Sequence, residues 1–247
     1  MSDPVSLLQR VAVSLNWTPP SDRLEIVRGI ENAGFPGSVL MGGALRDPYL
    51  GLPDFKDYDL WARSPVVIDS DSSESRNLQT TLRERISQIP GAGDITNIEI
   101  ELGEYPNAKV HFTFRGKPAE LMLGNEEPSA AGMALRRNST PICAVAMDSS
   151  GQVVAHPLFE EHAKGKIFEP ESSPTPNDVE RFAKLAMKIS GLSFPNDPNQ
   201  EIGRIVNAAN RMVEEFGQPA ITEPNSNYPS DVPNMRRSTQ SDLIKTR

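Results

Sequence analysis

Asp57 and Asp59 stand two residues apart in DYDLWA (57–62), a segment whose composition predicts a β-strand. On a strand that spacing sends both carboxylates off one face. Two carboxylates so close repel each other unless a cation lies between them. A hard cation with oxygen ligands, Mg²⁺ above all, suits such a pair. Two of these ions, roughly 3.5–4 Å apart, can clamp the attacking and leaving oxygens of an in-line phosphoryl transfer. The plain alternative is an exposed polar strand face, and D-x-D alone does not decide between them.

Fourteen residues upstream of Asp57, GSVLMGG (37–43) reads as a short buried strand running into glycines. ALRDPYLG (44–51) follows and has room for one or two helical turns. Gly42 and Gly43 would let backbone N–H groups approach a phosphate, and the helix start adds positive potential. The alternative is an ordinary tight turn. Arg46 and Asp47 lie between the glycines and the acidic pair, either as an ion pair or as part of the site.

Other elements must hold these residues in place. SLLQRVAVSL (6–15) has apolar residues at helical spacing. A second helix is expected from Asp22, with Glu25 as its capping-box partner, ending at Gly34. A third contains Leu82 and Ile86. ITNIEIEL (95–102), KVHFTF (109–114) and PAELML (118–123) read as three strands, the last two joined by a hairpin at the GK pair 116–117. SAAGMALRRN (129–138) reads as a helix, and PICAVAMD (141–148) and QVVAHP (152–157) as strands. Val179, Phe182, Leu185, Ala186 and Ile189 mark an amphipathic helix, and residues 201–216 another.

The stretch SVLMGGALRDPYLGLPDFKDYDLWA (38–62) closely resembles the head motif of class II CCA-adding enzymes and bacterial poly(A) polymerases, within the polymerase-β-like nucleotidyltransferases. That motif is a strand, two glycines, an arginine-aspartate pair, a leucine-glycine turn, then D-x-D on the next strand. The resemblance implies a third carboxylate on a later strand, which Glu120 in PAELML would supply. LRRNSTPICAVAMDSSGQVVAHPLFEEHAKGKI (135–167) resembles the family's arginine-rich segment, which implies that Arg136 and Arg137 contact nucleotide phosphate and ribose. NDVERFAKLAMKISGLSF (177–194) resembles the start of the neck domain, which implies that Asp178 and Arg181 pair with the base edge. Lys184 stands where the family has a second arginine. Read without the family, Arg136 and Arg137 would be helix-end cations, and Asp178 with Arg181 a surface ion pair.

The sequence also departs from the pattern. Asn138 replaces the aspartate that approaches the ribose, Ser139 a phenylalanine, and Cys143 an asparagine. His156 replaces the aspartate before Pro157, and Asn177 the glutamate that opens the neck motif. The carboxylates are kept while the sugar and base readers change. The resemblance covers roughly residues 23–195, without the body and tail domains that grip a tRNA acceptor arm in the family.

The whole chain sets bounds on these readings. Its 247 residues allow one sizeable domain or two small ones. The single cysteine leaves no internal disulfide and points to a reducing cytoplasm. Val5 to Leu15 is too short and too interrupted for a signal peptide, and no apolar run approaches bilayer-spanning length. No membrane partner is expected. A net charge of −8 counts against a dedicated nucleic-acid binder while leaving room for a local basic patch. His111 and His162 have no partners at metal spacing and read as structural, and Trp17 and Trp61 as packing residues.

The expected fold is α+β: a polymerase-β-like nucleotidyltransferase head with a mixed sheet flanked by helices, then a short helical neck. The expected division is a helical extension over 1–20, the head over 21–170, the neck over 171–216 and a disordered tail over 217–247. Two Mg²⁺ ions held by Asp57, Asp59 and Glu120 would serve transfer from an NTP, ATP or CTP. Gly42, Gly43, Arg46, Asp47, Arg136, Arg137, Asp178, Arg181 and Lys184 would bind the nucleotide. The acceptor expected first is a tRNA-like RNA 3′ end. The rivals are a protein or small-molecule acceptor, and a binding module without turnover.

Overall fold

The computed structural model describes residues 11–52, 55–68, 72–101, 107–136, 140–169 and 176–193. The expected helix over 201–216 and the expected tail over 217–247 lie outside them.

The centre is a mixed eight-stranded sheet flanked by helices, the α+β layout expected from the sequence. Its strands are β1 (Val13–Ser14), β2 (Val39–Met41), β3 (Tyr58–Arg63), β4 (Ala92–Glu101), β5 (Asn107–Phe114), β6 (Lys117–Gly124), β7 (Val145–Asp148) and β8 (Val153–Ala155). They lie in the order β1-β8-β7-β2-β3-β6-β5-β4. Every neighbouring pair is antiparallel except β3 and β6, which run parallel and pair Asp59 with Glu120. The helices are α1 (Ser21–Asn32), α2 (Gly43–Tyr49), α3 (Ser72–Ile86), α4 (Ala130–Arg136), α5 (Phe159–Gly165) and α6 (Pro176–Ala186).

Strand alternation divides the sheet into two faces. Tyr58, Leu60 and Ala62 of β3, Val110 and Phe112 of β5, and Leu121 and Leu123 of β6 are buried in one cluster. Ile26, Val27 and Ile30 of α1 and Leu78, Leu82 and Ile86 of α3 complete that cluster. The residues between them, Asp59, Glu120, Lys109 and His111, belong to the opposite face. On that face α4 packs Met133 and Ala134 against Val39, Met41, Ala146 and Val154. Contacts of α4 run to β2, β7 and β8, which leaves the carboxylate-bearing strip of β3 and β6 open. A third cluster joins Phe182, Leu185 and Ile189 to Ile142, Cys143 and Phe168, seating α6 beside that strip.

Four expectations are corrected. Residues 11–15 are not helical: Val13 and Ser14 pair with Ala155 and Val154, and the Leu15 N–H donates to the Val153 carbonyl at 2.9 Å. The free edge of β8 offers backbone partners that a lone amphipathic turn lacks. The start of α1 has no side-chain cap. Asp22 instead accepts from the Tyr58 hydroxyl at 2.8 Å, and Glu25 pairs with Arg115. The β5–β6 hairpin turns at Arg115-Gly116, one residue before the expected pair, with φ of 51° and 79°. Positive φ at both positions is the primed turn that matches the right-handed twist of paired strands. Pro141–Cys143 forms a single 3₁₀ turn, and the strand begins only at Val145. Pro141 has no N–H for a ladder.

Candidate functional site

The open strip is the floor of a cleft of about 1000 Å³. Its wall on one side is α2 and the loop before β3, and on the other α6 with the turn after it. Among its lining residues are Asp57, Asp59, Glu120, Gly42, Gly43, Arg46, Asp47, Arg181 and Lys184. Residues far apart in sequence and expected to share a site therefore do share a cavity.

Asp59 lies at the centre. It faces Glu120 across the parallel β3–β6 pair, and Asp57 precedes it at the mouth of β3. Burial, and then the negative charges of Asp57 and Glu120, push its carboxyl up to about 7. Gly42 packs against it from β2. A Cβ on Gly42 would stand 3.0 Å from Asp59 Oδ2, and the backbone there has φ +72°, a left-handed conformation that favours glycine. The second glycine opens α2, so the chain turns over the acidic group with no side chain between.

The other two carboxylates carry cationic partners. Lys56 Nζ lies 3.4 Å from Asp57. Lys109 Nζ lies 3.0 Å from Glu120 Oε1, and His111 Nδ1 is 3.8 Å from Glu120 Oε2. His111, expected to be structural, therefore stands between Glu120 and Glu99, whose carboxylate is 3.6 Å from its other nitrogen. Among the described residues, no three acidic, histidine or cysteine groups already converge as a metal cage. The donors themselves are all carboxylate oxygens, the set that Mg²⁺ prefers. Lys56 and Arg46 only partly offset the burial and like-charge load on Asp59, which a cation would relieve further. In donor chemistry, and not as an assembled cage, the three carboxylates suit a hard divalent cation.

Below the glycines, Asp47 is fully buried. Arg46 donates to its Oδ1 from Nε at 2.7 Å and from Nη2 at 2.5 Å, and Lys188 donates to Oδ2 at 3.1 Å. Arg46 Nη1 also lies 3.5 Å from Cys143 Sγ. Asp47 is thus spent on holding two cations at the cleft floor, one from α2 and one from the turn after α6.

Arg181 and Lys184 of α6 line the cleft. Asp178 is buried at 3% exposure, with Phe182 one helical turn further along α6, and is not among the described lining residues. Arg136 is the last residue of α4, while Arg137, Asn138 and Ser139 lie outside the described residues.

Lys56, Lys109, Lys117 and Lys188 were not singled out by the sequence, yet they line the cleft with Arg46, Arg181 and Lys184. Among the described lining residues seven are basic and four acidic, a local cationic excess in a chain of net charge −8. The alternation of β5, once its register with β6 is known, places Lys109 and His111 beside Glu120. Trp61, expected only to pack, both packs against the cluster under α4 and lines the cleft. No helix among the described residues is long and apolar enough to cross a membrane.

No family model matches the chain, and no curated protein does. Among solved structures, a tRNA-processing enzyme in an apo form aligns at 14% identity and a TM-score of 0.43, covering 78% of this chain and 46% of its own. The CCA-adding enzyme of Bacillus stearothermophilus in complex with CTP aligns at 19% identity and a TM-score of 0.45, covering 73% and 42%. A CCA-adding enzyme with CTP aligns at 14% identity and a TM-score of 0.41, covering 79% and 42%. The chain spans less than half the length of each.

Proposed function

We propose that this protein is a Mg²⁺-dependent nucleotidyltransferase that moves NMP from an NTP to an acceptor hydroxyl, with an RNA 3′ end as the acceptor. The observation that carries the reading is the pairing of Asp59 with Glu120 across β3 and β6, beside Asp57 and under Gly42, in an open cationic cleft. The sequence resemblance of residues 38–62 adds the reaction class.

Asp57, Asp59 and Glu120 would hold the cation, which when bound supplies charge neutralisation and Lewis acidity for phosphoryl transfer. The chain's own groups do the positioning. Backbone at Gly42 and Gly43 admits the β- and γ-phosphates close to the acidic strip. Arg46, fixed by Asp47, and Lys184 supply positive potential that is already in place before the charge develops. Arg181 reaches the cleft from α6 on the side where a base would lie. The acceptor oxygen attacks the α-phosphorus, the bond to the bridging oxygen breaks, and pyrophosphate leaves. The acceptor proton passes to solvent or to a cleft carboxylate. Holding the two reactants in line accounts for much of the rate in such chemistry.

The chain's acidity favours one rival, a protein or small-molecule acceptor, because phosphate-rich RNA is attracted only by the local cationic cleft. Incubation with α-labelled NTPs, Mg²⁺ and total RNA, followed by separation of RNA, protein and small molecules, tests the proposal. Label on RNA is the expected result. Label on protein or a small molecule keeps the chemistry and changes the acceptor. Nucleotide binding with no label transferred to anything indicates a binding module.

A further inference from the structure

We propose that Lys109 is a positioning residue, a built-in counter-cation that holds Glu120 while no divalent ion is present and has to release it when one enters. The inference rests on the metal reading above.

Across β3, β6 and β5, Asp59, Glu120 and His111 form one cross-strand row, and Trp61, Met122 and Lys109 form the next. Lys109 therefore reaches Glu120 diagonally, a distance a long side chain spans readily. Its ammonium lies 3.0 Å from Oε1, while His111 lies 3.8 Å from Oε2. Both oxygens of Glu120 thus face β5, whereas Asp57 and Asp59 lie on the other side of it, on and before β3. Glu120 is shared between two uses: a partner for β5 and a third oxygen donor for the strip. Lys109 and Glu120 are each about a third exposed in side chain, so the lysine has space to swing into the cleft it lines. A cation entering the strip gains Glu120 only by breaking the Lys109 contact, and it also meets the repulsion of that ammonium. Lys109 thus sets how tightly the trio takes a divalent ion, without being one of its ligands.

The test is Mn²⁺ binding to the full chain without nucleotide, followed by calorimetry and by the EPR signal of free Mn²⁺. Lys109→Met is expected to tighten Mn²⁺ binding by about five- to tenfold, the scale of a part-exposed ion pair with one neighbouring charge removed. Lys109→Arg, which keeps a cation, is expected to stay within about twofold of wild type on the same scale. In a Glu120→Gln background the Lys109→Met gain is expected to vanish, because the two residues act through one contact. Lys109→Gln serves as a second variant should Met disturb the sheet. Wild-type Mn²⁺ binding with no gain in folded Lys109→Met or Lys109→Gln overturns the inference and leaves the metal reading standing. An equal gain in the Glu120→Gln background also overturns it, because the effect would then be general charge. No Mn²⁺ binding by any of these proteins at millimolar concentration removes the metal reading and the inference together.

Discussion

In the absence of divalent ions, Asp59→Asn is expected to unfold at a higher temperature than the wild-type protein at pH 8, and at the same temperature near pH 3.5. The Asp59 carboxyl is pushed from 3.8 to about 7 by burial and by Asp57 and Glu120. Below 3.8 both folded and unfolded chains are protonated there, so the shift costs nothing. Between 3.8 and about 7 the unfolded chain has released a proton that the folded chain keeps. Wild-type stability therefore falls as pH rises through this window and levels off above it. A shift of that size corresponds to roughly 4 kcal/mol between fully protonated and fully ionised limits. Solvent and counter-ions in the open cleft screen part of it, leaving about 1–3 kcal/mol, or several degrees in melting temperature. Asparagine cannot ionise and escapes the loss. Adding Mg²⁺ at pH 8 should raise the wild-type midpoint and leave the variant nearly unchanged, since only the wild type offers the full donor set. A difference between the two proteins that is the same at pH 3.5 and pH 8 would contradict this account of Asp59.

The second large effect is on the floor of the cleft. Asp47→Asn should cost about 3–5 kcal/mol in urea unfolding, the usual penalty for leaving a buried charge without its partner. Asp47 is fully buried and accepts from both Arg46 and Lys188. Asparagine keeps one acceptor oxygen but turns donor hydrogens toward either the guanidinium or the ammonium, neither of which can accept. Lys188→Met, at a side chain that keeps 31% exposure, should cost much less. The asymmetry is informative, because Arg46 has no such access to water. An Asp47→Asn midpoint within error of wild type would mean that Arg46 finds another partner and that the floor is not held by this aspartate.

The parts of the site most legible in the sequence are those fixed by short-range pattern. The D-x-D spacing on a strand and the paired glycines before a helix each map onto a local element whose geometry is set by its own residues, whereas Glu120 is marked only through the family resemblance. The lysines were not legible in the same way. Lys109 meets Glu120 only through the β5–β6 register, and that depends on whether the turn falls at Arg115-Gly116 or one residue later. Moving the turn by one shifts every cross-strand partner by two, which would place Glu120 opposite Thr113 instead of His111. Lys188 reaches Asp47 only once α6 is folded back onto α2, a contact between residues 141 positions apart in the chain.

The errors in secondary structure have the same origin. VAVS (11–14) fits a helical or an extended period over so few residues, and the open edge of β8 decided the outcome. Asp22 and Glu25 have the composition of a capping box, yet Tyr58 and Arg115 from the sheet compete for them and win. In each case local preference of a fraction of a kcal/mol yields to a tertiary partner that the sequence alone does not reveal.

The central claim is that the strip of Asp57, Asp59 and Glu120 carries out nucleotidyl transfer, and the most direct test is turnover of an α-labelled NTP by wild type and Asp59→Ala. The two proteins should be compared side by side with Mg²⁺ and RNA, at matched folded concentration. The account predicts Mg²⁺-dependent incorporation of label into RNA by the wild type, and a loss on the order of 10²–10³-fold or more in the variant, the scale of removing a group that stabilises the transition state directly. Equal incorporation by the two proteins would contradict it.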